Sequence, residues 1–282
     1  LFRYMEQVDP ARMAKRRPIA IEARDGLQLH GYLTLPQNQS KNLPMVVHPH
    51  GGPHFVRDRW RFDSAVQMLA HYGYAVLQLN FRGSGGFGKS FEAAGQGQWG
   101  GVMQDDLTDA TRSLIEQGIA DPQRICLYGS SYGGYAALMG AVKEPALYRC
   151  AIGSMGVYDL PMMFREGDIR ESSSGLEYLR QTLGTDKELQ QARSPTYNAA
   201  KIEANVLLIH GTADKRAPIK HAQAMKSALD NAEKSYEWLQ IKAGGHGFYN
   251  EENREIAYRR VLDFLHANIG QPDEPVSAIS VD

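Results

Sequence analysis

Arg124-Ile125-Cys126-Leu127-Tyr128-Gly129-Ser130-Ser131-Tyr132-Gly133-Gly134-Tyr135-Ala136-Ala137-Leu138 is the stretch that decides how this chain folds. The apolar run from Arg124 to Tyr128 reads as a buried strand, and the small-residue stretch Tyr135 to Val142 as a helix. Between them, Gly129-Ser130-Ser131-Tyr132-Gly133 is a Gly-x-Ser-x-Gly corner. The middle residue of such a corner is held in a strained conformation, and only small neighbours let strand and helix approach. Gly129 and Gly133 supply that room, with Gly134 behind them. Ser131 then presents its hydroxyl at the mouth of a sheet, over a helix N-terminus whose free amides favour negative charge.

Outward from this corner the chain alternates short apolar strands with helices from Met45 onward, the pattern of a parallel sheet covered on both faces. Strands are expected at Met45–His48, Ala75–Leu79, Ile125–Tyr128, Ala151–Ser154, Val206–Ile209 and Tyr236–Ile241. Leu107, Ala110, Thr111, Leu114 and Gly118 share one face of a helix from about Asp105 to Gln117. Further helices are expected from Ile219 to about Asn231 and from about Glu252 to Ala267. Ahead of the first parallel strand, Ile19–Ala23 and Leu27–Leu35 alternate around Asp25-Gly26, a hairpin signal. Gly153 to Ala200 is too long for a simple crossover, and is expected to hold extra helices and loops above the sheet. Leu1 to Arg17 reads as a connector, Pro18 to Ile269 as one α/β domain, and Gly270 to Asp282 as a fraying polar tail.

Composition narrows the function classes. The 282 residues are 43% hydrophobic and 22% charged, ordinary for a globular protein, and an α/β domain of this size often forms one core. A net charge of −1 gives no long-range field, so neither nucleic acid nor an anionic membrane is an expected partner. No apolar stretch approaches the length that spans a bilayer. Cys126 and Cys150 both fall in expected buried strands, where free thiols packing as small hydrophobes are favoured over a disulfide. The chain begins with Leu1 and shows no signal-peptide pattern, so a cytoplasmic location is expected, or a periplasmic one if an upstream leader was removed. These features leave the oligomeric state open, a homo-oligomer included.

A serine hydroxyl is a poor nucleophile at neutral pH; it needs a base, and the base needs a carboxylate to fix its tautomer. In an α/β-hydrolase fold these partners follow in the order Ser, acid, His, each on a loop leaving the carboxyl end of a strand. Asp214 stands after Val206–Ile209, in His210-Gly211-Thr212-Ala213-Asp214, and His246 after the last strand, in Ala243-Gly244-Gly245-His246-Gly247-Phe248. An Asp near glycine is also a common turn residue, but an acid is required at this point of the fold. Among nine histidines, only His246 lies in a glycine-flanked loop after the final strand. Pro49-His50-Gly51-Gly52-Pro53 follows Met45–His48. It is expected to give one oxyanion donor, a backbone N–H of the Gly51-Gly52 turn, with the Tyr132 N–H as the other. His48, His50 and His54 have a spacing that also permits a metal cluster, but no acidic partner is well placed, and neither metal nor cofactor is expected.

With these residues in hand, the chain resembles the peptidase domain of the prolyl oligopeptidase family, in particular its acylaminoacyl-peptidase-like branch. The matching stretches are His50-Gly51-Gly52-Pro53, Asn80 to Gly88, Trp99-Gly100-Gly101 with Gln104-Asp105-Asp106, Gly129 to Gly134, His210 to Pro218, and Gly245 to Phe248. They run in order over about Pro18 to Ala267. The resemblance implies an α/β-hydrolase fold with Ser131 as nucleophile, Asp214 as orienting acid and His246 as base. It implies structural roles for Arg82 and Asp106, and a contact from Arg216 to the substrate's backbone carbonyl, although a surface salt bridge would look the same. Some branches carry a tyrosine at the position of His50 whose hydroxyl is an oxyanion donor; with a His there, the resemblance implies the Gly52 amide as the second donor. Members normally carry an N-terminal β-propeller, for which this chain has no room, so it is expected to be the catalytic domain of a longer chain.

The expected activity is cleavage of short peptides or N-acylated aminoacyl substrates through an acyl-enzyme. Within Met155 to Phe164, Tyr158 and Phe164 are the expected lining of an apolar pocket; the plainer reading is that both pack the lid. A carboxylesterase would use the same machinery. A degenerate hydrolase acting as a binding module is disfavoured by the intact Ser131, Asp214 and His246.

Overall fold

A computed structural model describes residues 9–270. The first elements are a strand β1 (Arg16–Glu22) that pairs antiparallel with β2 (Gln28–Thr34), turning at Asp25-Gly26. Next come β3 (Leu43–Val47), α1 (Ser64–His71), β4 (Ala75–Asn80), α2 (Lys89–Ala93) and α3 (Val102–Glu116). The centre of the chain is β5 (Ala120–Ser130), α4 (Tyr132–Lys143) and β6 (Cys150–Ser154). Then follow α5 (Ser173–Leu183), α6 (Lys187–Ala192), β7 (Asn205–Gly211), α7 (Lys220–Asn231), β8 (Tyr236–Ile241) and α8 (Glu251–Ile269).

The eight strands form one sheet in the order β1-β2-β4-β3-β5-β6-β7-β8. β1 and β2 are antiparallel additions at one edge, and every pairing from β4–β3 across to β7–β8 is parallel. This is the α/β-hydrolase arrangement.

Strand alternation sends side chains to two cores. Met45, Val47, Leu77, Leu127 and Leu208 point to the face covered by α3, α4 and α7. Val46, Val76, Tyr128, Ile152 and Ile209 point to the face covered by α1 and α8. Each central strand is apolar on both sides because helices shield both sides. Since β3, β5, β7 and β8 run parallel, the loops after Val47, Ser130, Gly211 and Ile241 all leave the same edge of the sheet. That edge carries the site.

One feature departs from the sequence reading. Cys126 and Cys150 are register partners on the adjacent strands β5 and β6, with Cα atoms 4.6 Å apart, and they form a disulfide rather than two free thiols. The sequence separation of 24 residues gives no hint that the two strands are neighbours. Helix α1 fills the expected interval between β3 and β4 and is started by Asp63, whose side chain accepts the Val66 N–H at 3.2 Å. The segment between β6 and β7 carries α5, α6 and three short 3₁₀ turns, and forms a lid over the sheet edge.

Candidate active site

Ser131 is the single residue between β5 and α4 and adopts φ 58°, ψ −123°. Its N–H donates to the Ser154 carbonyl on β6 at 2.9 Å, and its own carbonyl accepts from the Tyr135 N–H at 3.1 Å. The corner is closed so tightly that a Cβ on Gly129 would lie 2.4 Å from the Gly133 backbone, and one on Gly133 would lie 2.2 Å from the Pro49 carbonyl. Glycine at these positions is therefore a steric requirement.

The loops after β7 and β8 are tied to each other. The Ala213 N–H donates to the Gly244 carbonyl at 2.9 Å, and the Ala243 N–H to the Thr212 hydroxyl at 2.8 Å. This brings His246 between Ser131 and Asp214, with Nε2 2.9 Å from the Ser131 Oγ and Nδ1 2.8 Å from Asp214 Oδ2. A carboxylate can only accept, so Nδ1 carries the proton and Nε2 is free to accept from the serine hydroxyl. The Asp214 side chain is fully buried. Its other oxygen, Oδ1, accepts the Arg216 and Ala217 N–H groups, each at 2.9 Å, which fixes the carboxylate plane. His210 lies beneath it with Nε2 3.6 Å from Asp214 Oδ2; burial pushes its pKa down, and it donates to the Ala217 carbonyl at 2.7 Å.

Tyr132 opens α4, so its N–H belongs to the first turn and has no intrahelical acceptor. Its ring is buried among Phe81, Trp99 and Tyr135, with the Trp99 ring edge-on at 4.5 Å. Gly52, at φ 114°, lines the same cavity as Tyr132 and Ser131. His50 holds the Gly51-Gly52 turn: its Nδ1 donates to the Gly51 carbonyl at 2.7 Å, and its ring stacks on Phe81 at 4.4 Å. Burial lowers the His50 pKa to about 4, and its Nε2 lies 2.9 Å from the Ser84 Oγ, whose hydroxyl donates to the Phe81 carbonyl at 2.7 Å. The imidazole is thereby committed to the loop. His48 and His54 take separate partners, the Tyr128 carbonyl and the Trp99 N–H, and no group of three metal-ligating side chains occurs among the described residues.

A cavity of about 620 Å³ opens over Ser131, with Gly52, Tyr132 and His246 at its floor. Its apolar walls are Trp99, Val157, Met163, Ile169 and Tyr178; Asp168, Ser172, Ser174 and Arg216 give it a polar side. Arg216 lines this cavity and is paired with Asp168, Nε to Oδ1 at 3.0 Å, which is the salt bridge of the plainer reading. Tyr158 and Phe164 do not line it. Tyr158 is buried beneath the lid against Gly153 and Gly156, where a Cβ would come within 2.4 Å of its ring or hydroxyl. Phe164 packs on the larger core. The interval Met155 to Phe164 reaches the cavity through Val157 and Met163 instead. Tyr178 and Ile169 carry no local signal as wall residues, because their direction is set by how α5 and its preceding turn settle on the sheet.

Arg82 and Asp106 form a buried ion pair at 2.7 Å, extended by Asp25 at the hairpin turn, also at 2.7 Å. Burial opposes the Arg82 charge, but hydrogen bonds to both carboxylates outweigh it and raise its pKa. The pair lies away from the reacting groups and ties the loop after β4 to α3.

The description of the prolyl oligopeptidase family matches residues 60–272, well over half of the chain. The chain belongs to the prolyl oligopeptidase family. Among curated relatives, a dipeptidyl aminopeptidase BIII of Pseudoxanthomonas mexicana is 33% identical over 289 aligned positions, covering 98% of this chain and 42% of the relative. An acylamino-acid-releasing enzyme of Rattus norvegicus is 28% identical, covering 86% of this chain and 34% of the relative. Among solved structures, a puromycin-hydrolyzing peptidase of Mycobacterium tuberculosis superimposes with a TM-score of 0.87 at 26% identity, over 94% of this chain and 41% of that one. The chain thus spans less than half the length of these relatives.

Proposed function

We propose that this chain is the catalytic domain of a serine peptidase that cleaves short peptides or N-acylated aminoacyl substrates through an acyl-enzyme. The observation that carries the reading is the continuous chain of hydrogen bonds Ser131–His246–Asp214, at 2.9 and 2.8 Å. In this reading His246 Nε2 takes the Ser131 proton as Oγ attacks the substrate carbonyl. The Tyr132 and Gly52 N–H groups receive the oxyanion, and Asp214 stabilises the imidazolium that forms. The imidazolium then protonates the leaving nitrogen. A water activated by the same nitrogen hydrolyses the acyl-enzyme and restores Ser131.

Arg216, half exposed and held by Asp168, has the right position and charge to meet a carbonyl of the bound acyl part. The apolar walls Val157, Met163 and Tyr178 suit an apolar side chain before the scissile bond. That the similar proteins carry peptidase names supports amide over ester substrates. Matched amide and ester substrates sharing one acyl part test this: turnover of the amide, lost in Ser131→Ala, is expected. Turnover of the ester alone makes the protein a carboxylesterase.

A further inference from the structure

A second cavity, of about 350 Å³, reaches the same two reacting side chains from the other side. It lies toward α1 and α8, and its walls include His48, Tyr128, Met155, Phe248 and Tyr258, with Arg254 exposed at its edge. The lining sets of the two cavities share only Ser131 and His246. The Tyr132 and Gly52 amides border the first cavity and not the second.

That division has a stereochemical consequence. The tetrahedral carbon formed by Ser131 carries four groups: Oγ, the oxyanion, the acyl substituent and the leaving nitrogen. With the oxyanion between Tyr132 and Gly52, the acyl substituent occupies the large first cavity under the lid. The leaving nitrogen must face the nitrogen that protonates it, His246 Nε2, and so points toward the space beyond the imidazole. That space is the second cavity.

The chemistry of the second cavity fits an amino acid side chain. Its volume is at the lower end of ligand pockets, about 300–1,000 Å³, and its walls are aromatic with few polar groups. His48 is committed through Nδ1 to the Tyr128 carbonyl at 2.6 Å, and the two rings lie 5.0 Å apart. The neighbouring cations on α8 are satisfied, Arg259 by Glu255 and Arg260 by Glu237, whereas Arg254 makes no ion pair among the described residues.

We propose that this second cavity is the leaving-group subsite, taking an apolar or aromatic residue immediately after the scissile bond, with Arg254 pairing the carboxylate of a short leaving product. The proposal rests on the serine peptidase reading above. When the intermediate collapses, the C–N bond breaks and its electron pair stays on nitrogen. That nitrogen takes the proton from His246 Nε2, and the Oγ–C bond remains as the acyl-enzyme. The departing amine then lies among Tyr128, Phe248 and Tyr258, and its carboxylate at Arg254.

The test uses three substrates with one acyl part, chosen as the part the purified protein releases fastest from an aryl amide. They differ only beyond the scissile bond: phenylalanine, phenylalanine amide and glycine. The wild-type protein is expected to favour phenylalanine over glycine by about 10-fold in kcat/KM, of the order that burying an aromatic side chain allows. Arg254→Gln is expected to lower the carboxylate-to-amide ratio about 5-fold. Ala65→Phe, which narrows the cavity from α1, is expected to lower the phenylalanine-to-glycine ratio. Cleavage of all three at equal rates, with ratios that neither variant moves, overturns the subsite and leaves the peptidase reading intact. Failure to cleave even the aryl amide overturns both.

Discussion

At φ 58° Ser131 holds a backbone conformation that costs a residue with a side chain about 1–3 kcal/mol. The corner keeps it there because β6 holds its N–H and α4 its carbonyl, and the result is a hydroxyl lifted clear of the sheet within 2.9 Å of an imidazole nitrogen. Ser131→Ala is expected to lower kcat by about 10⁴ or more while leaving the melting temperature within a few degrees of wild type. Adding His246→Ala to it should cost little further, since the two groups act as one unit; steady-state kinetics on the double variant measures this. His50 acts at one remove. Because its ring holds the Gly51 carbonyl and the Ser84 hydroxyl, His50→Ala is expected to lower kcat about 10-fold or more with a smaller change in KM, through displacement of the Gly52 donor.

At the scale of elements, the site is a set of loops leaving parallel strands, and their close approach is what substitutions will expose. A methyl group at Gly133 would lie 2.2 Å from the Pro49 carbonyl, so Gly133→Ala must push the oxyanion loop away from α4. Loss of both stability and kcat is expected, read by thermal melting and by kinetics on the folded fraction. Arg82 joins the hairpin turn, the loop after β4 and α3 through Asp25 and Asp106. Arg82→Ala leaves the Asp106 carboxylate buried without its partner, and a destabilisation of about 3–5 kcal/mol is expected by denaturant titration. Much of this was legible in the sequence. The triad residues each follow an apolar strand in a glycine-rich loop, so position along the chain reports position at the sheet edge. Where a side chain depends on packing between distant segments, no local signal exists. Tyr158 turns down onto Gly153 and Gly156, Tyr178 turns toward the cavity, and Cys126 meets Cys150, each because of neighbours that periodicity does not reveal.

For the molecule as a whole, burial sets a pH dependence of stability. It holds His50 and His54 at about 4 and His221 at about 3, below the 6.5 of an exposed imidazole. Below pH 6.5 the unfolded chain therefore binds protons that the folded chain refuses. The contribution of these residues is complete above pH 6.5 and is lost as the pH falls. Asp58 works in the opposite sense. Burial raises it to about 6, so its contribution is complete below about 3.8 and is lost as the pH rises through 6. Three imidazoles outweigh one carboxylate, and each unmatched proton changes stability by about 1.4 kcal/mol per pH unit. The melting temperature is expected to fall by several degrees per unit between pH 6.5 and 4.5, less steeply in His221→Gln; a flat or rising profile would contradict this.

The central claim is that Ser131, activated through His246 and Asp214, is the nucleophile, and a fluorophosphonate probe tests it most directly. Mass spectrometry of the labelled, digested protein is expected to place one phosphonyl adduct on the peptide bearing Ser131. Labelling should be absent in Ser131→Ala and slowed at least about 10²-fold in His246→Ala. Folded protein that takes no label, or takes it at another residue, would contradict the account.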